Sequence, residues 1–162
     1  MPKWPQVRTW LSAHRAWLIV AALLLLVDRA TKVWALTDLA VHGPVVLGKY
    51  LWLNYVENTG MAFGLFQNAN VFLIVVMLVV IGYIIYSWKD IMCYGIWAQW
   101  GAVLILTGAL GNLYDRLTLG FVVDFIDLRV WPVFNAADSF ITIGAVLVGI
   151  SLLQKQPTKQ EK

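Results

Sequence analysis

Long uncharged apolar runs constrain this chain more than any other feature. Val71 to Trp88 and Tyr94 to Leu113 contain no Asp, Glu, Lys or Arg. A transmembrane helix needs about 20 mostly apolar residues, at roughly 1.5 Å of rise each. Ala16 to Leu36 also qualifies, interrupted late by Asp28, Arg29 and Lys32, as does Asn135 to Leu153, charged only at Asp138. Apolar and aromatic residues make up 60% of the chain and charged residues 13%. Soluble domains average about 45–50% and roughly 25%. That balance excludes a soluble enzyme, a DNA-binding domain and a disordered chain. The nine tryptophans agree, because Trp collects where membrane meets water.

The expected fold is an all-α membrane protein with four transmembrane helices, at about 16–36, 71–88, 94–113 and 135–153, forming a single domain over 1–162. The first span has a basic start and a short apolar run, like a signal peptide. No small-x-small cleavage site follows, only Asp-Arg-Ala-Thr-Lys, so it is read as a retained helix. Lys3, Arg8 and Arg15 precede the first span, and Lys155, Lys159 and Lys162 follow the last. By the positive-inside rule both termini are cytoplasmic, together with a short loop holding Lys89 and Asp90. The extracytoplasmic side receives 37–70 and 114–134, although these keep Lys49, Arg116 and Arg129. Within the first outer loop, Val45 to Val56 is rich in β-branched and aromatic residues, which predicts a small β-rich element with Gly48 at a turn or bulge. Asn58 to Gln67 suits a mobile amphipathic loop, and Trp52, Phe63 and Phe66 suit the headgroup level.

On this topology nearly all the unusual polar residues converge on the outer leaflet. Asp28 and Lys32 fall in the outer half of the first span; Asn112, Asp115 and Arg116 end the third; Asn135 and Asp138 begin the fourth; Asn54, Asn58 and Asp124 lie in the outer loops. Charges within a membrane are costly and mark function by default. Each also has an ordinary structural explanation. Asp28 and Lys32, four apart, form a bracing ion pair. Small residues at Gly108 and Gly111 admit a neighbouring helix. Arg116 snorkels to the headgroups, Asp138 caps a helix, and Asp124 is a loop carboxylate. These explanations leave two apolar-flanked carboxylates, Asp124 and Asp138, brought to the same edge.

Two carboxylates held close cannot both ionise cheaply, so they share a proton. Such a pair can activate water with its charged member and protonate a carbonyl with its neutral one, hydrolysing a peptide without a covalent intermediate. Other designs fit less well. His14 lies in the cytoplasmic tail and His42 stands alone in a loop, which leaves a serine triad without a base. No zinc-spaced His/Cys/Glu cluster and no phosphate-cradling glycine loop occurs, so neither metal nor cofactor is expected. The single cysteine, Cys93, excludes an internal disulfide. Two other classes stay open: a non-catalytic membrane adaptor acting through the outer loop, and a proton-coupled transporter subunit. The transporter fits poorly, because transporter sites lie near the midplane between repeats and the chain has no repeat.

Five blocks, in order, resemble the lipoprotein signal peptidases, or signal peptidase II: Asp28-Arg29-Ala30-Thr31-Lys32; Asn54-Tyr55-Val56-Glu57-Asn58-Thr59-Gly60-Met61-Ala62-Phe63; Gly108-Ala109-Leu110-Gly111-Asn112-Leu113-Tyr114-Asp115-Arg116; Val123-Asp124-Phe125; and Phe134-Asn135-Ala136-Ala137-Asp138. The resemblance implies a bacterial inner-membrane aspartyl peptidase that cuts diacylglyceryl-modified prolipoproteins just before the lipid-bearing cysteine. It implies a catalytic pair of Asp124 and Asp138, with Asn112, Arg116 and Asn135 orienting substrate and carboxylates. Asp28, Asn54 and Gly108 match further family positions. The lipid bilayer and a globomycin-type inhibitor are implied partners, and nucleic acid is not. Arg29 stands where the family often has Gln, and Met61 where a small residue is usual; neither touches the pair.

Overall fold

The computed structural model describes residues 4–60 and 69–154, with side chains from Arg15 onward. It is mostly helical, with one small sheet. Helix α1 runs Trp4–Trp34 and continues through a π-helical turn, Ala35–Leu39, into the short α2, Ala40–His42. Strands β1 (Val45–Val46) and β2 (Trp52–Asn58) follow, then α3 (Asn70–Tyr86), α4 (Trp88–Cys93), α5 (Ile96–Thr118), β3 (Val122–Asp127) and α6 (Ala136–Gln154).

All four expected helices are present, with moved ends. The first begins at Trp4 rather than near Ala16, because Pro5 falls in its first turn, where a missing N–H costs nothing. The third continues past Leu113 to Thr118, carrying Asp115 and Arg116 inward. The expected short loop at Lys89 and Asp90 is the helix α4, entered through a break at Ser87. Helices α5 and α6 are each long and apolar enough to cross a membrane, and α3 is a shorter apolar helix.

The expected small β-rich element is there, but it is not confined to the first outer loop. The sheet order is β1-β2-β3, antiparallel throughout. Its third strand comes from the connection between α5 and α6, which was expected to be loop. Phe121 to Asp127 is a β-branched and aromatic run, and it pairs with β2 so that Val56 faces Asp124 and Asn58 faces Val122. Gly48 lies in the turn between β1 and β2, as expected, and a separate irregularity lies within β2, where the register shifts between Leu53 and Val56. Most of the expected loop Asn58–Gln67, including Phe63 and Phe66, lies outside the described residues. Trp52 is half-buried; its indole N–H donates to the Gly48 carbonyl at 3.1 Å, and the Arg129 guanidinium lies 4.4 Å from its ring centre.

The sheet sits on the end of α1. Ala35, Leu39, Val123 and Phe125 form a buried apolar cluster, with Leu53 and Tyr55 packed against it. Helices α5 and α6 make the most extensive contact in the molecule. A side chain at Gly101 would begin 2.6 Å from the Gly144 carbonyl oxygen, and one at Gly144 would begin 2.6 Å from that of Gly101. In lipid, where no hydrophobic force drives helices together, such backbone approach lets dispersion hold the pair.

Candidate active site

The same α5–α6 contact closes at its other end over a buried polar cluster. Gly108 lies against the backbone of Ala137, and a Cβ on Gly111 would sit 2.5 Å from Asp28 Oδ2. The small residues thus bring α6 and the acidic side chain of α1 up to α5. Asp124 and Asp138 are the focus. Asp124, 1% exposed, stands on β3, and Asp138 lies in the first turn of α6.

Asn135 joins them. Its side-chain oxygen accepts from the Asp138 N–H at 3.0 Å, and its own N–H donates to Asp138 Oδ2 at 3.1 Å. This reciprocal cap satisfies two otherwise unpaired donors at the start of α6. Capping and a place in the cluster are therefore one arrangement for Asp138. Because the amide oxygen of Asn135 is taken, its NH2 must face the other way. It donates to Asp124 Oδ1 at 2.7 Å and to Asn112 Oδ1 at 3.2 Å. Asn112 in turn donates to Asp138 Oδ1 at 2.8 Å. Asn58, reaching across from β2, donates to Asp124 Oδ2 at 2.8 Å.

Burial pushes the Asp124 carboxyl up to about 7, and the negative charge of Asp138 adds to the shift. The amides of Asn58 and Asn135 and the charge of Lys32 oppose it. A carboxyl in that range exchanges its proton near neutral pH, as a general acid or base must.

A second shell of charge stands behind. Lys32 is fully buried and reaches Asp28 at 3.1 Å, Asp115 at 3.0 Å and Asn112 Oδ1 at 2.9 Å. The expected Asp28–Lys32 pair is thus one edge of a larger network. Asp28 Oδ1 accepts from Ala137 N–H at 3.1 Å. Asp115 accepts from Arg29 at 2.6 Å and from Val123 N–H at 3.3 Å. Arg116 does not snorkel: it is buried, and it donates to the Gly60 carbonyl at 2.6 Å and to Asn70 Oδ1 at 3.2 Å. Among the described residues its Nε has no partner.

Of the eight expected site residues, Asp124, Asp138, Asn112 and Asn135 meet directly through hydrogen bonds. Asp28, Gly108 and Arg116 pack around them. Asn54 lies in the irregular part of β2 and makes no side-chain hydrogen bond among the described residues. Sequence reasoning assigned no site role to Asn58, Lys32, Asp115 or Asn70. Asn58, Lys32 and Asp115 all fall inside the family-like blocks, which was the available signal. Among the described residues no group of His, Cys, Asp and Glu could hold a metal ion.

The family model for signal peptidase II matches residues 20–154. The lipoprotein signal peptidase of Thermodesulfovibrio yellowstonii is 46% identical over 139 residues, covering 82% of this chain and 91% of the relative. That of Clostridioides difficile is 39% identical over 142 residues, covering 85% and 94%. A solved bacterial membrane enzyme superposes with a TM-score of 0.81 at 30% identity, covering 91% of this chain and 93% of its own. The chain belongs to the signal peptidase II family, a family of aspartic-type peptidases.

Proposed function

We propose that Asp124 and Asp138 are the catalytic pair and that they hydrolyse the peptide bond before a diacylglyceryl-modified cysteine. The observation that carries this is Asn135, whose one side chain and backbone N–H hold both carboxylates, the buried Asp124 and the half-buried Asp138. At neutral pH the pair holds one proton between two oxygens-rich groups. The ionised member takes a proton from water as the water oxygen bonds to the scissile carbonyl carbon. The protonated member gives its proton to the carbonyl oxygen. The tetrahedral species then collapses: the C–N bond breaks, the carboxyl that took the water's proton gives it to the cysteine nitrogen, and a hydroxyl of the tetrahedral carbon returns a proton to the other carboxylate, restoring the pair. The signal peptide leaves with a new carboxylate, and no covalent enzyme intermediate forms. Asn112, Asn135 and Asn58 keep the carboxylates aimed, and Arg116 orients substrate backbone.

In this reading the chain is a single membrane domain over 1–162, with four spans and both termini in the cytoplasm of a bacterial cell. The sheet and the Asp pair lie at the extracytoplasmic edge of the inner membrane. There the scissile bond of a lipid-anchored substrate leaves the bilayer. A globomycin-type peptide would bind the same cluster.

Cleavage of a diacylglyceryl-prolipoprotein by the purified chain in liposomes tests this. Wild type should cut in the presence of a chelator, and Asp124→Asn and Asp138→Asn, folded, should not. Cleavage by either variant would remove the pair from the mechanism.

A further inference from the structure

We propose that Lys32 is a positioning residue for the two aspartates, a role that rests on the aspartyl reading above. Its ammonium is 0% exposed and meets three acceptors, Asp28, Asp115 and Asn112, from 2.9 to 3.1 Å. An ammonium has three N–H groups and no acceptor, so its hydrogen-bonding capacity is filled. Each arm ends on an aspartate of the pair or on its chain neighbour. Through Asp28 it reaches the N–H of Ala137, next to Asp138. Through Asp115 it reaches the N–H of Val123, next to Asp124. Through Asn112 it reaches Asp138 itself.

The third arm also sets an orientation. An amide can turn over and exchange its oxygen for its NH2. Lys32 only donates, so Asn112 must give it the oxygen and point its NH2 at Asp138. Without the ammonium that choice weakens, and a turned amide sets its oxygen against the carboxylate. Stability alone is a poor reason for such a cluster, since apolar replacement of buried ion pairs is often neutral or better.

The charged groups whose fields reach the pair are Lys32 from α1 and Arg116 from α5, besides Asp138 acting on Asp124. Asp28 and Asp115 stand behind Lys32. From β2 come Asn58 and, on an exposed position, Glu57. Removing the Lys32 charge therefore makes the pair hold its proton more tightly.

The test is cleavage of diacylglyceryl-prolipoprotein by the full chain in detergent, with rates normalised to folded protein. Lys32→Gln should lower kcat about 10²-fold, the scale of a small misplacement, with KM changed less than about 3-fold. Its pH–rate profile should move to higher pH, and Lys32→Arg should return the profile toward wild type. In an Asn112→Ala background Lys32→Gln should cost less than it does in wild type, because the Asn112 arm is already lost while the Asp28 and Asp115 arms remain. If Lys32→Gln does not fold, Lys32→Gln with Asp28→Asn keeps the net charge and is judged by the same readouts. A wild-type kcat and pH profile with only a lower melting temperature would overturn the proposal. So would costs that multiply in the double variant. Full activity in Asp124→Asn and Asp138→Asn would instead overturn the aspartyl reading itself.

Discussion

Helices α5 and α6 meet twice, by different physics. Around Gly101 and Gly144 the backbones touch, and the flanks carry exposed apolar residues such as Val146 and Leu152. Around Asn112 and Asp138 the same helices stay close, with Gly108 against the Ala137 backbone, and beside that contact they hold amides and carboxylates, nearly all of them hydrogen-bonded. The first region is held by close approach and depends on size. The second is held by direction and depends on where each donor points. One helix pair thus supplies a rigid seam at one end and a chemically specified cluster at the other.

Removing chemistry without changing size should have the largest effect and leave the seam intact. Asp138→Asn should lower the single-turnover cleavage rate by about 10³-fold or more, within the range of acid–base contributions, with helix content by circular dichroism unchanged. Asn135→Ala should come next. It loses the cap and the bridge together, so kcat should fall about 10²-fold and stability by about 1 kcal/mol, read from cleavage and melting of one preparation. Size changes should then split the regions. Gly101→Ala and Gly108→Ala each force a methyl into backbone, at about 1–3 kcal/mol. The Gly101 variant should melt lower yet keep its kcat per folded molecule, whereas the Gly108 variant should lose both.

Acidity gives a smaller, signed effect. The folded-state pKa of Asp124, about 7, lies above its ordinary 3.8. The protonated form is therefore the one the fold favours. Its contribution is full below the ordinary value and is lost as pH rises through about 7. Between those limits stability should fall by about 1.4 kcal/mol per pH unit, seen as a melting temperature that drops from pH 5 to pH 7. Gly101→Ala should leave that slope unchanged. The smallest effect belongs at the seam end of α6, where Ser151 Oγ donates to the Tyr94 carbonyl at 2.5 Å. Ser151→Ala should cost about 0.6 kcal/mol and no activity.

The seam was the easier region to read. Uncharged runs of helical length announce both helices, whereas the small residues that drew notice, Gly108 and Gly111, lie at the site end and not at Gly101 and Gly144. Asp138 was legible as a cap because its spacing from Asn135 is local. Harder to see was everything set by sheet pairing. Phe121 to Asp127 does not alternate simply: Val122, Val123, Asp124 and Phe125 are all buried, so period-two patterning fails and the strand resembles a loop. With β3 unseen, nothing connected Asn58 to Asp124, although both stood in the family-like blocks. Lys32 was legible as the partner of Asp28 at helical spacing, but its contacts to Asp115 and Asn112 bridge separate helices, which no local pattern encodes.

The two aspartates arrive on different kinds of element, and that has a consequence in time. Asp138 is in place once α6 forms its first turn. Asp124 is delivered only when β3 pairs with β2, a strand synthesised before α3. A chain with its helices formed but its sheet unpaired would hold Asp138 without Asp124 beside it. Under the aspartyl reading proposed above, pairing of β3 with β2 is thus the step that completes the site.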